Sequence, residues 1–165
     1  MAIILSIHPN RDLALFQFEG TVDTKQGARI FQDYVSAPGF SPTYKMLTDT
    51  SRLDTVESNY RSMLSGVLSL RESLSKFDTP ALSVIYARSN FFFGMARLLE
   101  QVQNPLSNIQ IVVTRDEAEA LTLAGQPEKS MADLHEALRR ETDPGGALHV
   151  VDNQESAKKP PSTED

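Results

Sequence analysis

Cysteine is absent from this chain of 165 residues, and so is tryptophan. Without cysteine the chain has no disulfide, no thiolate nucleophile and no cysteine-ligated metal site. The three histidines, His8, His135 and His149, include no pair with the i, i+4 spacing of a helical zinc site. A Gly-rich phosphate loop and a G-x-S-x-G nucleophile motif are missing too. We therefore expect no cofactor, no bound metal and no enzymatic activity.

Long apolar runs and clusters of basic residues are also missing. No stretch approaches the roughly 18 consecutive apolar residues of a membrane span. The N-terminal MAIILSIHPNR lacks a basic segment and indicates a strand, not a signal peptide, so we expect a cytoplasmic protein without a transmembrane segment. The net charge is −6, and no Lys/Arg cluster could displace counterions from phosphates. We expect no nucleic-acid partner.

Short apolar strands alternate with amphipathic helices along most of the chain. The turn HPNRD (8–12) joins the first two strands as an antiparallel hairpin, and the later strands, separated by helices, require parallel crossovers. The sequence predicts an α/β fold, a five-stranded mixed sheet packed with four to five helices. The predicted strands are 2–7, 13–18, 44–49, 81–86 and 109–113.

The chain divides into one domain and two appended segments. Residues 1–126 carry the alternating pattern, and 127–141, PEKSMADLHEALRRE, form an additional amphipathic helix. Residues 142–165 are polar and Pro-rich and are predicted to be a disordered tail, with ALHVV (147–151) as a candidate strand or docking segment.

The segment 46–58, MLTDTSRLDTVES, crowds short polar side chains between a predicted strand and a helix predicted from about Val56. In α/β sheets, ligands usually bind where a strand ends and the next helix begins, and a phosphate on Ser58 would gain support from the helix dipole. The alternative is structural: Ser58 helps to cap the helix, while Asp49 and Ser51 close the turn through side-chain-to-backbone bonds. Capping alone explains the composition.

Three consecutive phenylalanines, Phe91, Phe92 and Phe93, open the helix after the strand 81–86. Successive helical side chains point about 100° apart, so the three rings cannot all face one core. One interpretation is that the helix 127–141 or a dimer partner covers the remaining ring or rings. The other is that they line an apolar pocket or a lipid-contact patch.

Several segments resemble a known family. They are FEGTVDTKQGARIFQDYV, LTDTSRLDT and ARSNFFFGMARLLEQVQ, followed by IQIVVTRDEAEALTLAG, in which RDEAEALTL follows the last strand. Over about residues 2–125 the chain resembles SpoIIAA-like proteins of the STAS/SEC14-like superfamily. The resemblance implies a mixed sheet with packed helices and a non-catalytic binding or regulatory role.

The resemblance also bears on Ser58. In anti-sigma-factor antagonists of this group, a serine at the start of the helix after the third strand is phosphorylated and controls partner binding, within Asp-Ser-Ser-Gly. This chain has VESNY (56–60), in which Ser58 is the nearest match and the adjacent serine and the glycine are missing. Other relatives are thought to bind lipids or small apolar molecules, which suits the three phenylalanines.

These observations lead to one expected function and two alternatives. We expect a non-enzymatic STAS-like module that binds an apolar small molecule, a lipid or a regulatory protein partner, as a homodimer. The first alternative is a switch controlled by phosphorylation of Ser58. The second is an unrecognised enzyme acting on a phosphorylated substrate through Asp49 and Arg88, which end neighbouring predicted strands.

Overall fold

The structure, a computed structural model, describes residues 2–141 and 148–152. Its strands are β1 (Ala2–His8), β2 (Leu13–Asp23), β3 (Lys45–Glu57), β4 (Ala81–Tyr86), β5 (Ile109–Thr114) and β6 (Leu148–Asp152). Its helices are α1 (Thr24–Ser36), α2 (Tyr60–Ser69), α3 (Arg71–Leu74), α4 (Asn90–Gln103), α5 (Glu117–Leu123) and α6 (Met131–Arg140). Short 3-10 turns lie at Pro9–Arg11 and Asn104–Leu106.

The strands form one mixed sheet in the order β5-β4-β3-β2-β1-β6. Strand β1 is antiparallel to β2 and β6, whereas the pairs β2–β3, β3–β4 and β4–β5 are parallel. The predicted α/β architecture, an N-terminal hairpin followed by parallel crossovers, is confirmed. The sheet gains a sixth strand from Leu148–Asp152, within the segment predicted as a disordered tail; residues 142–147 and 153–165 of that segment lie outside the described residues.

Two strands extend beyond their predicted ends. Gly20 lies just past the predicted end of the second strand (13–18), where a glycine suggests that the strand stops. It adopts φ 70° at a register shift between β2 and β3, and β2 continues to Asp23. A glycine at positive φ is how a strand accommodates a bulge without ending. Strand β3 likewise runs to Glu57.

The predicted turn after Asp49 and the helix start near Val56 are therefore wrong. Helix α2 begins at Tyr60, and Asn59 caps it by accepting a hydrogen bond from the backbone N–H of Ser62. The segment that suggested a turn is an extended strand, in which Asp49, Thr50 and Leu53 are buried and the other residues from Ser51 to Thr55 are exposed.

Helices cover both faces of the sheet, and the period-two alternation of the strands sends side chains into two cores. The first face, the α1–α4 face, packs under α1, α2, α3 and α4 and receives Phe16 and Met46. The second face, the α5–α6 face, receives Leu15 and Leu47. Helix α6 packs in cis, since its Met131 and Leu134 belong to this second core.

Arg11, in the turn of the β1–β2 hairpin, forms contacts with residues on both sides of α6. Its side chain is only 12% exposed and forms salt bridges to Glu128 at 2.8 Å and to Glu141 at 2.7 Å. It also donates to the Gln126 side-chain oxygen at 3.1 Å. Hydrogen bonds from Arg11 hold the pKa of both glutamates below the ordinary value. The segment 127–141 is thus anchored at both ends.

Candidate functional site

A cavity of about 230 Å³ lies between α1, α2, α4 and the α1–α4 face of the sheet. Its wall is mostly apolar and includes four phenylalanines, Phe16, Phe18, Phe31 and Phe92. An apolar pocket of this size that opens to solvent is the usual form of a small-molecule site. It is therefore the candidate site among the described residues.

Two rows of strand side chains form the floor of the cavity. The parallel register places Phe16, Thr48 and Ile85 side by side, and it places Met46 beside Ser83 in the next row. All five residues line the cavity. The floor is thus an apolar surface that carries two hydroxyl groups.

Thr48 and Ser83 are half-buried, although β3 and β4 are interior strands with a partner on each side. Their exposure comes from the cavity, because the helices above leave them uncovered. They are diagonal neighbours on adjacent strands. Sequence reasoning missed both residues; the available signal was a polar side chain at a core-facing position of a buried strand.

Two glycines shape the helices over this floor. A Cβ added to Gly27 in α1 would meet nothing within 4 Å, and Gly27 lines the cavity, so its missing side chain leaves open space. A Cβ added to Gly66 in α2 would lie 2.6 Å from Cγ2 of Thr24. Gly66 therefore permits the close approach of α2 to α1, whereas Gly27 keeps the space beneath α1 free.

Ser58 lies at one end of the cavity, one residue before the Asn59 cap of α2. Its side chain is half-buried, with Oγ 2.6 Å from Oγ1 of Thr24 and 3.1 Å from Oγ of Ser62. The hydroxyl thus joins the starts of α1 and α2. Ser58 is neither a helical residue nor a freely exposed one.

The three predicted phenylalanines have different surroundings. Phe92 lines the cavity and packs against the larger core. Phe91 is 57% exposed and contacts Phe92 edge-on at 5.4 Å between ring centroids. Phe93 lies under the guanidinium of Arg115, whose Cζ is 4.2 Å from the ring centroid. Of the three, only Phe92 belongs to the cavity.

Asp49 lies on the α5–α6 face, away from the cavity, and is 5% exposed. Its carboxylate accepts a hydrogen bond from Ser51 N–H at 2.9 Å and lies 3.3 Å from Nε2 of His135. Nδ1 of His135 is 3.4 Å from the amide nitrogen of Gln17. His135 thus bridges the side chains of Asp49 and Gln17.

Burial favours a higher pKa for the Asp49 carboxyl, but hydrogen bonds from His135 and Ser51 outweigh it and hold the pKa below its ordinary value of 3.8. Arg88 is exposed and does not line the cavity. The structure gives Asp49 a contact with α6 through His135, and a joint role of Asp49 and Arg88 stays a prediction.

No family model matches the chain, and no curated protein matches it. The chain is similar to a solved structure of the anti-sigma factor antagonist SpoIIAA in its unphosphorylated form. The alignment covers 84% of this chain and 99% of that chain, with 9% sequence identity and a TM-score of 0.40. At this TM-score the comparison assigns no family, no ligand and no partner. None of the described helices is long and apolar enough to cross a membrane.

Proposed function

We propose that the chain is a binding module that takes up an apolar small molecule in the cavity between α1, α2, α4 and the sheet. The main support for this proposal is the cavity itself, which has a volume of about 230 Å³ and a mostly apolar wall. An apolar molecule that covers this wall removes its surface from water, which contributes roughly 25 cal/mol per Å² of apolar surface buried.

The position of the cavity favours a small molecule over a docked protein. The space lies between the sheet and the helices and reaches the core residues Met46, Val67 and Ile109, each at most 4% exposed. A partner protein contacts a surface, whereas these side chains are reached only by a molecule that enters the layer. A lipid would fit through a single short acyl chain or a ring.

The two alternative functions find less support in the geometry. A phosphate on Ser58 would have to separate the hydroxyls of Thr24 and Ser62 and part the starts of α1 and α2. An enzyme built on Asp49 and Arg88 would need a shared pocket, and neither residue lines the cavity. Homodimerisation stays a prediction.

Native mass spectrometry of gently purified protein tests for a copurifying molecule. Ligand-stripped protein is then titrated with the neutral fluorophore N-phenyl-1-naphthylamine. Leucine at Gly27 projects into the open space, so Gly27→Leu is expected to weaken binding at least tenfold. Gly94 is the matched control: it is also helical and open to an added Cβ, but it is exposed and does not line the cavity.

Gly94→Leu is expected to bind the fluorophore as the unmodified chain does. Equal binding by Gly27→Leu and Gly94→Leu would place the fluorophore elsewhere and refute the proposal. Absence of any binding by the stripped protein would refute it as well.

A further inference from the structure

We infer that the ligand of this cavity is uncharged and carries a hydroxyl or carbonyl group on an otherwise apolar frame. The inference rests on the proposed function, and it deepens that function by naming the chemical class. It follows from the charges that line the cavity, from the two hydroxyls on its floor and from its size.

The lining excludes a charged ligand. Among the described residues, no lysine, arginine or histidine lines the cavity, and Asp23 is the only charged residue that does. The Asp23 carboxylate is already engaged as the cap of α1, where Oδ1 accepts a hydrogen bond from Gln26 N–H at 2.8 Å. A carboxylate or phosphate moved into this space would lose its hydration, meet no cation and face a like charge.

The floor hydroxyls favour a ligand with a polar group. No side-chain hydrogen bond joins Thr48 or Ser83 to another residue of the described chain, although both line the cavity. The other hydroxyls of the lining are occupied: Thr50 donates to the carbonyl of Tyr86 at 2.7 Å, and Ser58 lies against Thr24. A hydroxyl both donates and accepts hydrogen bonds, so a hydroxyl or carbonyl group of the ligand can form a hydrogen bond with Thr48 or with Ser83.

The size of the cavity bounds the apolar frame. An engineered protein cavity of about 150 Å³ takes up benzene, so about 230 Å³ accommodates a larger frame such as two fused rings or a medium-length chain. Aromatic rings of Phe16, Phe31 and Phe92 in the wall suit a planar frame. The naphthalene skeleton is thus a suitable probe.

The test uses four probes on that skeleton near neutral pH: naphthalene, 1-naphthol, 1-naphthoate and protonated 1-naphthylmethylamine. Each displaces N-phenyl-1-naphthylamine from ligand-stripped protein. One added hydrogen bond predicts that 1-naphthol binds about three- to tenfold tighter than naphthalene. The two charged probes are expected to bind more weakly than naphthalene.

Variants of Thr48 and Ser83 test whether their hydroxyls cause the tighter binding of 1-naphthol. Thr48→Val combined with Ser83→Ala is expected to retain naphthalene binding and to lose the advantage of 1-naphthol. Thr48→Ser, which keeps a hydroxyl at the same position, is expected to retain that advantage. Naphthalene binding by each variant shows that the cavity is still formed.

The outcomes separate this inference from the proposed function. Tightest binding by 1-naphthoate or by the amine would overturn the inference and leave the cavity as a binding site. Equal affinity for 1-naphthol and naphthalene, or an advantage that survives in the double variant, would also overturn it. Failure of all four probes and of the fluorophore would refute the proposed function and the inference together.

Discussion

Replacement of Gly27 by leucine is expected to stabilise the protein more than an equivalent change elsewhere. Leucine in place of a helical glycine contributes about 0.8 kcal/mol through backbone conformational entropy. A Cβ at Gly27 meets nothing within 4 Å, so the added side chain enters the cavity and its burial contributes about 2 kcal/mol more. Gly94→Leu places the same side chain on an exposed part of α4 and receives only the first contribution.

The assay is urea unfolding of ligand-stripped protein, because a bound ligand would stabilise the unmodified chain by mass action. We expect Gly27→Leu to raise the free energy of unfolding by about 2–3 kcal/mol and Gly94→Leu by less than about 1 kcal/mol. A Gly27→Leu variant no more stable than Gly94→Leu would show that the side chain finds no open space, and the reasoning behind the cavity would fail.

Three further predictions concern contacts outside the cavity. Gly66→Ala should lower the free energy of unfolding by about 1–3 kcal/mol in urea, because its Cβ meets the Thr24 methyl group at 2.6 Å. Asp49→Asn should weaken the contact with His135 and make the protein less stable than the unmodified chain. Since the pKa of Asp49 is lowered in the folded state, this stability difference should be present above about pH 4. In urea titrations it should shrink as the pH falls through the folded pKa. Asn104→Ala should cost about 1–2 kcal/mol and increase self-association in analytical ultracentrifugation, because the Asn104 side chain bonds both backbone groups of one residue on the edge strand β5.

Each of these predictions has a contrary result. The control for Gly66→Ala is Gly94→Ala. Equal free energies of unfolding for the two variants would mean that α1 and α2 can move apart without loss of stability. A stability difference for Asp49→Asn that persists unchanged to low pH would remove the charge of Asp49 as its cause. An Asn104→Ala chain with the oligomeric state and the stability of the unmodified chain would show that the edge of β5 needs no protection.

The element order was predictable because it depends on local periodicity. The short apolar run of each strand and the capping residue Asp23 are visible within a few positions of the chain. The lengths of β2 and β3 were not predictable, since their extensions stabilise each other through pairing between distant segments. Gly20 illustrates the difficulty: a glycine that ends a strand and one that forms a bulge look alike in a sequence.

The candidate site was predictable only in part. The 100° spacing of helical side chains required Phe91, Phe92 and Phe93 to face different surroundings, but which ring meets the core depends on how α4 packs. Gly27 of α1 and Thr48 of β3 both line the cavity, although they are 21 positions apart in the sequence. No local pattern shows that a small residue of a helix and a polar residue of a strand border the same space.

The unequal strand lengths leave part of the sheet only two strands wide. Strand β4 pairs with β3 only as far as Asp49, and β1 pairs with β2 only as far as Glu19, so residues 20–23 and 53–57 continue as a two-stranded ribbon within the described chain. Helices α1 and α2 both start from the end of this ribbon. Two-stranded ribbons are only marginally stable. Amide hydrogen exchange should therefore be faster in 52–57 than in 45–49, where β3 has a hydrogen-bonded strand on each side.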